Sequence, residues 1–355
     1  MKVSHRVISL LLVICVMLSL SACLGTGNTD KKKFVATDMN YFDTVATLIG
    51  YEQREEDFLE VKELVFSRLG EYHRLYDIYN HYEGVTNLYD LNAIHTAEHK
   101  ELRVDRRIID LLLFSKEMYA LTDGQTNVAM GSVLSLWHEC REVGTAHPER
   151  AELPSKEELS RAAEHTDIDA IVINEDKGTV FISDPAVKID VGAIAKGYAV
   201  EMIARELEDM GISGYTLNVG GNVRTIGSKP DGTPWAVGAE NPDTESEEPY
   251  IAILSLSGES FVTSGSYQRY YYVNGKSYHH IIDPDTLHPA EGYLSVSVIA
   301  PGSALADALS TALFASELEW GMELVSGLSG VEALWVSSDG TQHTSDGFEN
   351  YLREN

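Results

Sequence analysis

Two short segments, far apart in the chain, contain the residue types that a metal-assisted phosphate chemistry needs. Residues 190–198 (DVGAIAKGY) place an acid, small residues and a lysine at the start of an apolar helical run. Small residues let the backbone approach a ligand, and the free N–H groups of a helix start bind phosphate. Residues 306–311 (ADALST) place Asp307 and Thr311 four positions apart, on one face of a helix. With a nearby carbonyl they form an all-oxygen set, which suits Mg²⁺ better than zinc.

Each segment by itself also has a simpler interpretation. Asp307 could be a solvated charge on an ordinary helix, and Asp190 could be a plain N-cap, a position where Asp is common. The occurrence of both segments in one chain, together with the segments described next, favours a site for a phosphorylated ligand.

Three further segments have small or polar residues at predicted strand or helix ends. Residues 218–224 (NVGGNVR) contain paired glycines that permit close approach to a ligand or a simple bulge or turn. Residues 263–267 (TSGSY) end a strand in hydroxyl groups, which suit either phosphate binding or a turn. Residues 122–127 (TDGQTN) are typical of a loop after a helix.

Adjacent histidines suggest a general base. His279 and His280 lie in a predicted strand, so their side chains point to opposite faces. A neutral histidine can take a proton from a hydroxyl group near pH 7. Two alternatives remain: a structural histidine on a sheet, or a zinc site. The zinc site would combine one of these histidines with Asp283, Asp285 or His288, a spacing that matches no standard zinc pattern.

Hydrophobic periodicity predicts the elements that hold these segments. An alternating strand is predicted at 41–51, and the helical pattern predicts helices at 55–79, 105–121, 130–139 and from Ser155, which has Glu158 at the capping-box position. Later segments predict strands at 170–174, 179–183, 215–219, 223–226, 235–239, 250–256, 261–263, 269–273, 277–282, 293–300 and 331–336, with helices at 193–210, 305–314 and 318–328. Helices followed by a strand-rich region predict an α+β fold, with mixed or antiparallel sheets and flanking helices.

The N-terminus has the features of a lipoprotein signal peptide. Basic residues precede an apolar run at 7–20, and the run ends in LSAC at 20–23. Cleavage would make Cys23 the lipidated N-terminus, unless the cysteine is incidental to an ordinary signal. We therefore predict a signal peptide at 1–22, a lipidated flexible tether at 23–35 and one domain at 36–355. The expected location is the extracytoplasmic face of the cell membrane.

Charge and cysteine content restrict the partners and the covalent framework. The formal net charge of −28 argues against nucleic acid or another polyanion as a partner. An anionic small ligand would need a local metal ion or a cationic pocket. Only Cys140 would remain after Cys15 leaves with the signal and Cys23 is lipidated, so no intramolecular disulfide is expected.

The chain resembles the ApbE family of FAD:protein FMN transferases. The resemblance covers about residues 36–345, and the segments that carry it are 190–201, 218–227, 262–284 and 297–314. It implies that FAD, as substrate, binds with its pyrophosphate near Mg²⁺. A Thr or Ser hydroxyl of an exported or membrane flavoprotein then attacks the phosphorus on the FMN side, and AMP leaves.

The resemblance also implies roles for particular residues. His280 would be the base, and the Mg²⁺ ligands would be the main-chain oxygen of Ala193, Asp307 and Thr311. The implied FAD contacts are Met39, Gln125, Thr126, Asn127, Asp190, Lys196 and Ile281. One departure concerns residues 125–129 (QTNVA), where many family members have AFDPT, so that Asn127 replaces an acid. Two other functions use the same residues: a metal-dependent FAD pyrophosphatase and a non-catalytic flavin-binding lipoprotein.

Overall fold

An eight-stranded antiparallel sheet forms the centre of the fold. The computed structural model describes residues 30–98 and 100–353, without the side chains of residues 94–98. Cys23 and the predicted signal peptide lie outside the described residues. The strands are β1 (Lys32–Tyr41), β2 (Thr44–Glu52), β3 (Leu102–Arg103), β4 (Ile171–Asn174), β5 (Thr179–Ile182), β6 (Tyr215–Val219), β7 (Asn222–Ile226), β8 (Trp235–Glu240), β9 (Tyr250–Leu256), β10 (Ser260–Gly265), β11 (Tyr270–Val273), β12 (Lys276–His279), β13 (Tyr293–Ala300), β14 (Glu332–Ser337) and β15 (Gln342–Thr344).

The strand order in the main sheet is β1-β2-β6-β7-β10-β13-β14-β15, and each neighbouring pair is antiparallel. Smaller sheets are formed by β3-β5-β4, β8-β9 and β11-β12. The helices are α1 (Glu55–Tyr76), α2 (Leu88–Glu98), α3 (Arg106–Leu121), α4 (Gly131–Ala146), α5 (Lys156–Ala163), α6 (Ala195–Asp209), α7 (Ser303–Phe314) and α8 (Leu318–Ser326). The predicted α+β class with antiparallel sheets and flanking helices is confirmed.

Apolar side chains cover both faces of the main sheet. On one face, a large cluster joins α1, α3 and α6 to the sheet through residues such as Leu48, Leu69 and Leu217. A second cluster packs α7 against β13 and β14 around Trp335. The β8-β9 hairpin contributes Trp235 to a third cluster with residues of the main sheet. These layers hold α6 and α7. Helix α6 begins within the 190–198 segment, and α7 contains the 306–311 segment.

Local sequence signals explain several element boundaries. Ser155 and Glu158 form the predicted capping box of α5, and the Asp105 side chain accepts a hydrogen bond from the Arg107 N–H at the start of α3. Asn274 and Gly275 both have positive φ, as the predicted hairpin between β11 and β12 requires. None of the helices within the described ranges has the length and apolar character needed to cross a membrane.

The structure differs from the predicted elements at three places: two differ in extent and one is a helix that was not predicted. The flexible tether predicted at 23–35 ends earlier, because residues 32–35 already belong to β1, an edge strand with many exposed positions. Helix α2 was not predicted, since its buried positions, such as Leu88, follow from packing rather than from a strong helical pattern. The strand predicted at 277–282 ends at His279, because the Ile281 carbonyl accepts a hydrogen bond from the Ala290 N–H instead of continuing the hairpin.

Candidate active site

The two segments identified first in the sequence meet where α6 and α7 cross. The backbone N–H of Gly197 donates to Asp307 Oδ2 at 2.7 Å. A Cβ at position 197 would lie 2.3 Å from Asp307 Cβ and 2.4 Å from the Ser303 carbonyl oxygen, so only glycine allows this approach. The glycine in DVGAIAKGY therefore serves helix packing and brings a carboxylate to the N-terminal turn of α6.

Ala193 lies just before this helix start. In a regular helix the Gly197 N–H would donate to the Ala193 carbonyl, but here it donates to Asp307. Lys196 Nζ lies 4.0 Å from Asp307 Oδ1, at the long end of the range for an ion pair. The beginning of α6 thus combines a carbonyl oxygen, a carboxylate and an ammonium group.

Thr311 of α7 lies next to the end of β10. Ser264 Oγ lies 3.5 Å from Thr311 Oγ1 and 2.9 Å from Ser310 Oγ. The TSGSY segment therefore contributes hydroxyl groups next to α7, as the phosphate-binding interpretation allows. The paired glycines of NVGGNVR form the turn between β6 and β7, where Gly220 and Gly221 have positive φ.

Asp307 is only 4 % exposed. Burial raises the pKa of its carboxyl group, whereas Lys196, the Gly197 N–H and the Asn222 side chain oppose that rise. Asn222 Oδ1 is itself buried and has no hydrogen-bond partner among the described residues. A buried carboxylate, a threonine hydroxyl, a free carbonyl and an orphaned amide oxygen are all hard oxygen donors, which fit Mg²⁺.

The zinc alternative is wrong for the part of the chain that the structure describes. Within residues 30–98 and 100–353, no three His, Cys, Asp or Glu side chains are grouped so that they could hold a metal ion. His279 instead lies with Nε2 2.8 Å from the Ala290 carbonyl oxygen. Its ring also packs edge-on against Phe314 at a centroid distance of 5.5 Å.

His280 follows the last residue of β12 and is half-buried. Burial, together with the nearby Arg269, Arg141, His279 and Lys196, lowers the pKa of His280 to about 3. Its Nδ1 is buried and has no hydrogen-bond partner within the described ranges. The ring is therefore neutral at neutral pH and is able to accept a proton.

A cavity of about 490 Å³ has a lining that includes Tyr79, His138, Lys188 and Asp190. Asp190 accepts a hydrogen bond from the Gly192 N–H at 2.8 Å. Burial raises the pKa of the Asp190 carboxyl group, although the Gly192 N–H, His138 and Arg141 oppose the rise. The cavity and the α6 start are therefore connected through residues 190–196.

The loop before α4 uses two of the expected FAD contacts within the protein. Thr126 is 1 % exposed, and its Oγ1 donates to the Ala308 carbonyl at 2.9 Å, which ties the loop to α7. Asn127 Nδ2 donates to the Thr166 carbonyl at 2.8 Å. Gln125 Nε2 lies 3.4 Å from Asp285 Oδ2, and Gln125 Oε1 is buried without a partner among the described residues. Of these three side chains, Gln125 retains an unused buried acceptor.

Met39 and Ile281 occupy very different surroundings. Met39 is 58 % exposed on the edge strand β1. Ile281 is buried in the cluster formed by α7, β13 and β14, and its main chain is also bonded within the protein: its N–H donates to His279 Nδ1 at 3.3 Å and its carbonyl accepts from the Ala290 N–H. Residues that the motifs did not single out also belong to the site: Asn222, Ser264, Tyr79, His138, Arg141 and Arg269. Asn222 and Ser264 lie in segments noted for their small residues, but Tyr79, His138 and Arg141 lie in no such segment.

The chain is similar to known FAD:protein FMN transferases. Among curated relatives, the FAD:protein FMN transferase of Haemophilus influenzae is 36% identical over 197 residues, which are 55% of this chain and 56% of that protein. The FAD:protein FMN transferase of Klebsiella pneumoniae (strain 342) is 29% identical over 274 residues, 75% of this chain and 82% of that protein. The matched part thus spans little more than half of the first relative.

A solved structure and a family model extend the match over most of the chain. The crystal structure of the ApbE protein from Thermotoga maritima has a TM-score of 0.77 and 27% sequence identity, and the match covers 91% of this chain and 100% of that chain. The model of the ApbE family matches residues 42–335. Because the family model matches well over half of the chain, the chain belongs to the ApbE family.

Proposed function

We propose that this protein transfers FMN from FAD to a Thr or Ser hydroxyl of a target protein and releases AMP. The observation that carries the proposal is the crossing of α6 and α7, which sets Lys196 Nζ 4.0 Å from Asp307 Oδ1, and the charge of Lys196 also acts on His280. The names of the relatives from H. influenzae and K. pneumoniae describe the same transfer. An acid, a cation and a neutral base are the groups that phosphoryl-type transfer requires.

Each residue has a defined part in the reaction. Lys196 binds the diphosphate of FAD through its ammonium group. His280 takes the proton of the attacking hydroxyl as its oxygen bonds to the phosphorus on the FMN side. The bond from this phosphorus to the bridging oxygen breaks, and the electron pair leaves with AMP. When bound by Asp307, Thr311 and the Ala193 carbonyl, Mg²⁺ would offset the negative charge of the diphosphate.

We extend the proposal to the location of the protein. Lipid attached at Cys23, followed by a short tether up to β1, would hold the domain at the extracytoplasmic face of the cell membrane. The acceptor would then be an exported or membrane flavoprotein. The support is the sequence pattern at 1–23. Membrane fractionation with Cys23→Ser, which we expect to release the protein from the membrane, checks this part.

The test of the function is mass spectrometry of a candidate acceptor incubated with the protein, FAD and Mg²⁺. We expect an added FMN on the acceptor and an equal amount of released AMP. His280→Ala should lower transfer by about a hundredfold or more, because general base catalysis contributes that much, while FAD binding persists. His147→Ala, at a largely exposed histidine away from this group, is the matched control and should leave transfer unchanged.

The same experiment separates the alternatives. Free FMN and AMP without modified acceptor would identify a pyrophosphatase in which water replaces the acceptor hydroxyl. Tight FAD binding without AMP release under any condition would identify a flavin-binding lipoprotein. Either result would contradict the proposed transfer.

A further inference from the structure

A buried glutamate of α6 holds the start of α7. Glu201 lies in α6 and is only 3 % exposed. Its Oε2 accepts hydrogen bonds from the backbone N–H of Ser303 at 2.8 Å and from Arg224 Nε at 3.2 Å. Its Oε1 accepts a hydrogen bond from Arg205 Nε at 2.8 Å. Both oxygens of this carboxylate are therefore bonded to donors of the protein.

The two arginines that contact Glu201 have different surroundings. Arg224 lies on β7 and is 4 % exposed, and its Nη2 donates to Glu208 Oε1 at 2.9 Å. Its Nη1 donates to two backbone carbonyl oxygens. By contrast, 63 % of the Arg205 side chain is exposed. The buried contact of Glu201 thus runs from β7 through Arg224 to the start of α7, whereas its contact with Arg205 lies at the surface.

The spacing of the contacts between α6 and α7 links Glu201 to the proposed metal site. Gly197 and Glu201 are four residues apart in α6, and Ser303 and Asp307 are four residues apart in α7. The Gly197 N–H donates to Asp307, and the Ser303 N–H donates to Glu201. About one helical turn therefore separates the point that Glu201 holds from the Asp307 carboxylate. A shift of the α7 start would move Asp307 relative to the other oxygens of the site.

The residue before α7 makes room for this carboxylate. A Cβ at Gly302 would lie 2.9 Å from Glu201 Cδ and 2.9 Å from Glu201 Oε2. Contacts this short force one group to move, so the glycine lets the carboxylate reach the Ser303 N–H. The position of Glu201 is therefore determined by close packing as well as by its hydrogen bonds.

The two carboxylates at the helix crossing have different positive neighbours. Glu201 has Arg205 Nε at 2.8 Å and Arg224 Nε at 3.2 Å. Asp307 has Lys196 Nζ at 4.0 Å. Close guanidinium groups offset the charge of Glu201, whereas Asp307 keeps more of its charge for a bound cation. Glu201 is therefore suited to support the site and Asp307 to bind the ion.

We propose that Glu201 is a positioning residue for the magnesium site. It fixes the start of α7 and thereby holds Asp307 and Thr311 at the distance from α6 that a shared cation requires. The inference rests on the proposed function and on its Mg²⁺ ligand set. Outer partners that orient metal ligands typically contribute about ten- to a hundredfold to metal affinity. In this role Glu201 contacts neither FAD nor the metal ion.

Two substitutions of similar size separate the hydrogen bond from the charge. Glu201→Gln retains an oxygen at the Oε2 position for the Ser303 N–H and Arg224, and its amide group faces Arg205, whose exposed side chain can turn to water. Glu201→Met removes the acceptor together with the charge. Both variants lose the charge, so the oxygen at this position distinguishes them. Arg205→Ala is the matched control, because it removes the exposed partner and leaves the buried contact intact.

The measurement is FAD affinity, from quenching of flavin fluorescence, in EDTA and at increasing Mg²⁺ concentration. We expect Mg²⁺ to tighten FAD binding to the same extent in the wild type, Glu201→Gln and Arg205→Ala. In Glu201→Met the affinity in EDTA should be unchanged, but half of the tightening should require about tenfold more Mg²⁺. Excess Mg²⁺ should then restore the affinity. Restoration by the metal ion distinguishes a displaced ligand set from a general loss of structure.

Gly302→Ala provides a second way to displace Glu201. Its φ of −140° is open to alanine, but the added Cβ would press on the Glu201 carboxylate while every charge stays in place. We expect the Mg²⁺ requirement to rise in the same direction as in Glu201→Met. Urea unfolding checks that each variant folds, and Gly302→Ala decides the question if Glu201→Met does not fold.

Three results would overturn the proposal. One is an unchanged Mg²⁺ requirement in Glu201→Met or, if that variant does not fold, in Gly302→Ala. Another is a Glu201→Gln variant that needs as much Mg²⁺ as Glu201→Met, which would assign the effect to the lost charge. The third is the absence of any Mg²⁺ effect on FAD affinity in the wild type. If the wild type transfers no FMN while Mg²⁺ still tightens FAD binding, the proposed function fails, and these affinities still decide the role of Glu201.

Discussion

At the scale of single residues, His280 shows how neighbours set the chemistry of a common side chain. A histidine has an ordinary pKa of 6.5, but burial and the nearby charges of Arg269, Arg141, His279 and Lys196 lower the pKa of His280 to about 3. The neutral form is therefore the one that the fold favours. A base that is already unprotonated can accept the acceptor proton without first losing its own, and the same lowered pKa makes it a weaker base than an ordinary histidine.

The pH dependence of transfer follows from this lowered pKa. The folded pKa lies below the ordinary value, so the ring stays neutral as the pH falls through 6.5. We expect kcat/KM to show no loss from protonation of the base between about pH 8 and pH 5, since this ratio reports the free enzyme. A profile of FMN transfer against pH checks it. An acid limb centred near pH 6.5 that disappears in His280→Ala would show that the ring titrates normally.

The lowered pKa of His280 also determines how the stability of the folded protein changes with pH. The unfolded chain binds the proton more tightly than the folded chain, so this histidine contributes its full stabilisation above pH 6.5. That contribution is lost progressively as the pH falls from 6.5 toward about 3.

Asp307 provides a second prediction at this scale. Asp307→Ala removes the single carboxylate of the proposed Mg²⁺ ligand set, so activity should fall about a hundredfold or more. Differential scanning fluorimetry with FAD should show that Mg²⁺ raises the Tm of the wild type but not of this variant. Asp339→Ala, in an exposed turn, is the control. An equal rise in Tm with Mg²⁺ in Asp307→Ala would place the metal elsewhere.

At the scale of elements, α6 and α7 cap each other. Neither helix has a side-chain cap from its own N-cap residue. Instead, the Gly197 N–H at the start of α6 donates to Asp307 of α7, and the Ser303 N–H at the start of α7 donates to Glu201 Oε2 of α6 at 2.8 Å. The first N–H groups of a helix lack intrahelical partners, so this exchange satisfies both starts at once. It also fixes the position of the Asp307 carboxylate.

Gly197→Ala tests this contact. The added Cβ would meet Asp307 Cβ at 2.3 Å and the Ser303 carbonyl oxygen at 2.4 Å, so one helix has to move. We expect a loss of about 1–3 kcal/mol in the free energy of unfolding, as overpacking typically costs, with a strong loss of transfer. Urea unfolding measures the first effect. Gly327→Ala is the control, because its Cβ would make only ordinary contacts at 3.5 Å in a helical conformation. Equal stabilities of the two variants would contradict the tight crossing.

At the scale of the whole molecule, the main sheet extends into the region that the sequence assigns to a tether. Strand β1 pairs with β2 from Lys32 onward, and Phe34 stacks on Phe58 of α1 at a centroid distance of 5.4 Å. Five of the ten residues at 32–41 are polar, which hides this role, because an edge strand needs few apolar positions.

Two N-terminally truncated chains test where the tether ends and the folded domain begins. A chain that starts at Asp30 should unfold at the same temperature as one that starts at Cys23, because the residues before Asp30 precede β1. A chain that starts at Phe42 should be less stable, since it loses the whole β1–β2 pairing and the Phe34 contact. Thermal unfolding of both proteins checks the prediction. Equal stability of the two truncated chains would show that β1 adds nothing to the fold.

The sequence by itself determined the α+β class, most element positions and the two segments that meet at the crossing of α6 and α7. These features depend on local pattern: helical spacing around Asp307 and Thr311, the capping box at Ser155 and the Asn274–Gly275 turn. Only the tertiary structure decided the contact of Gly197 with Asp307, the orphaned amide oxygen of Asn222 and the hydrogen bond of Glu201 with the start of α7. Such contacts join residues distant in the chain, and burial and electric fields depend on that assembly rather than on neighbouring sequence.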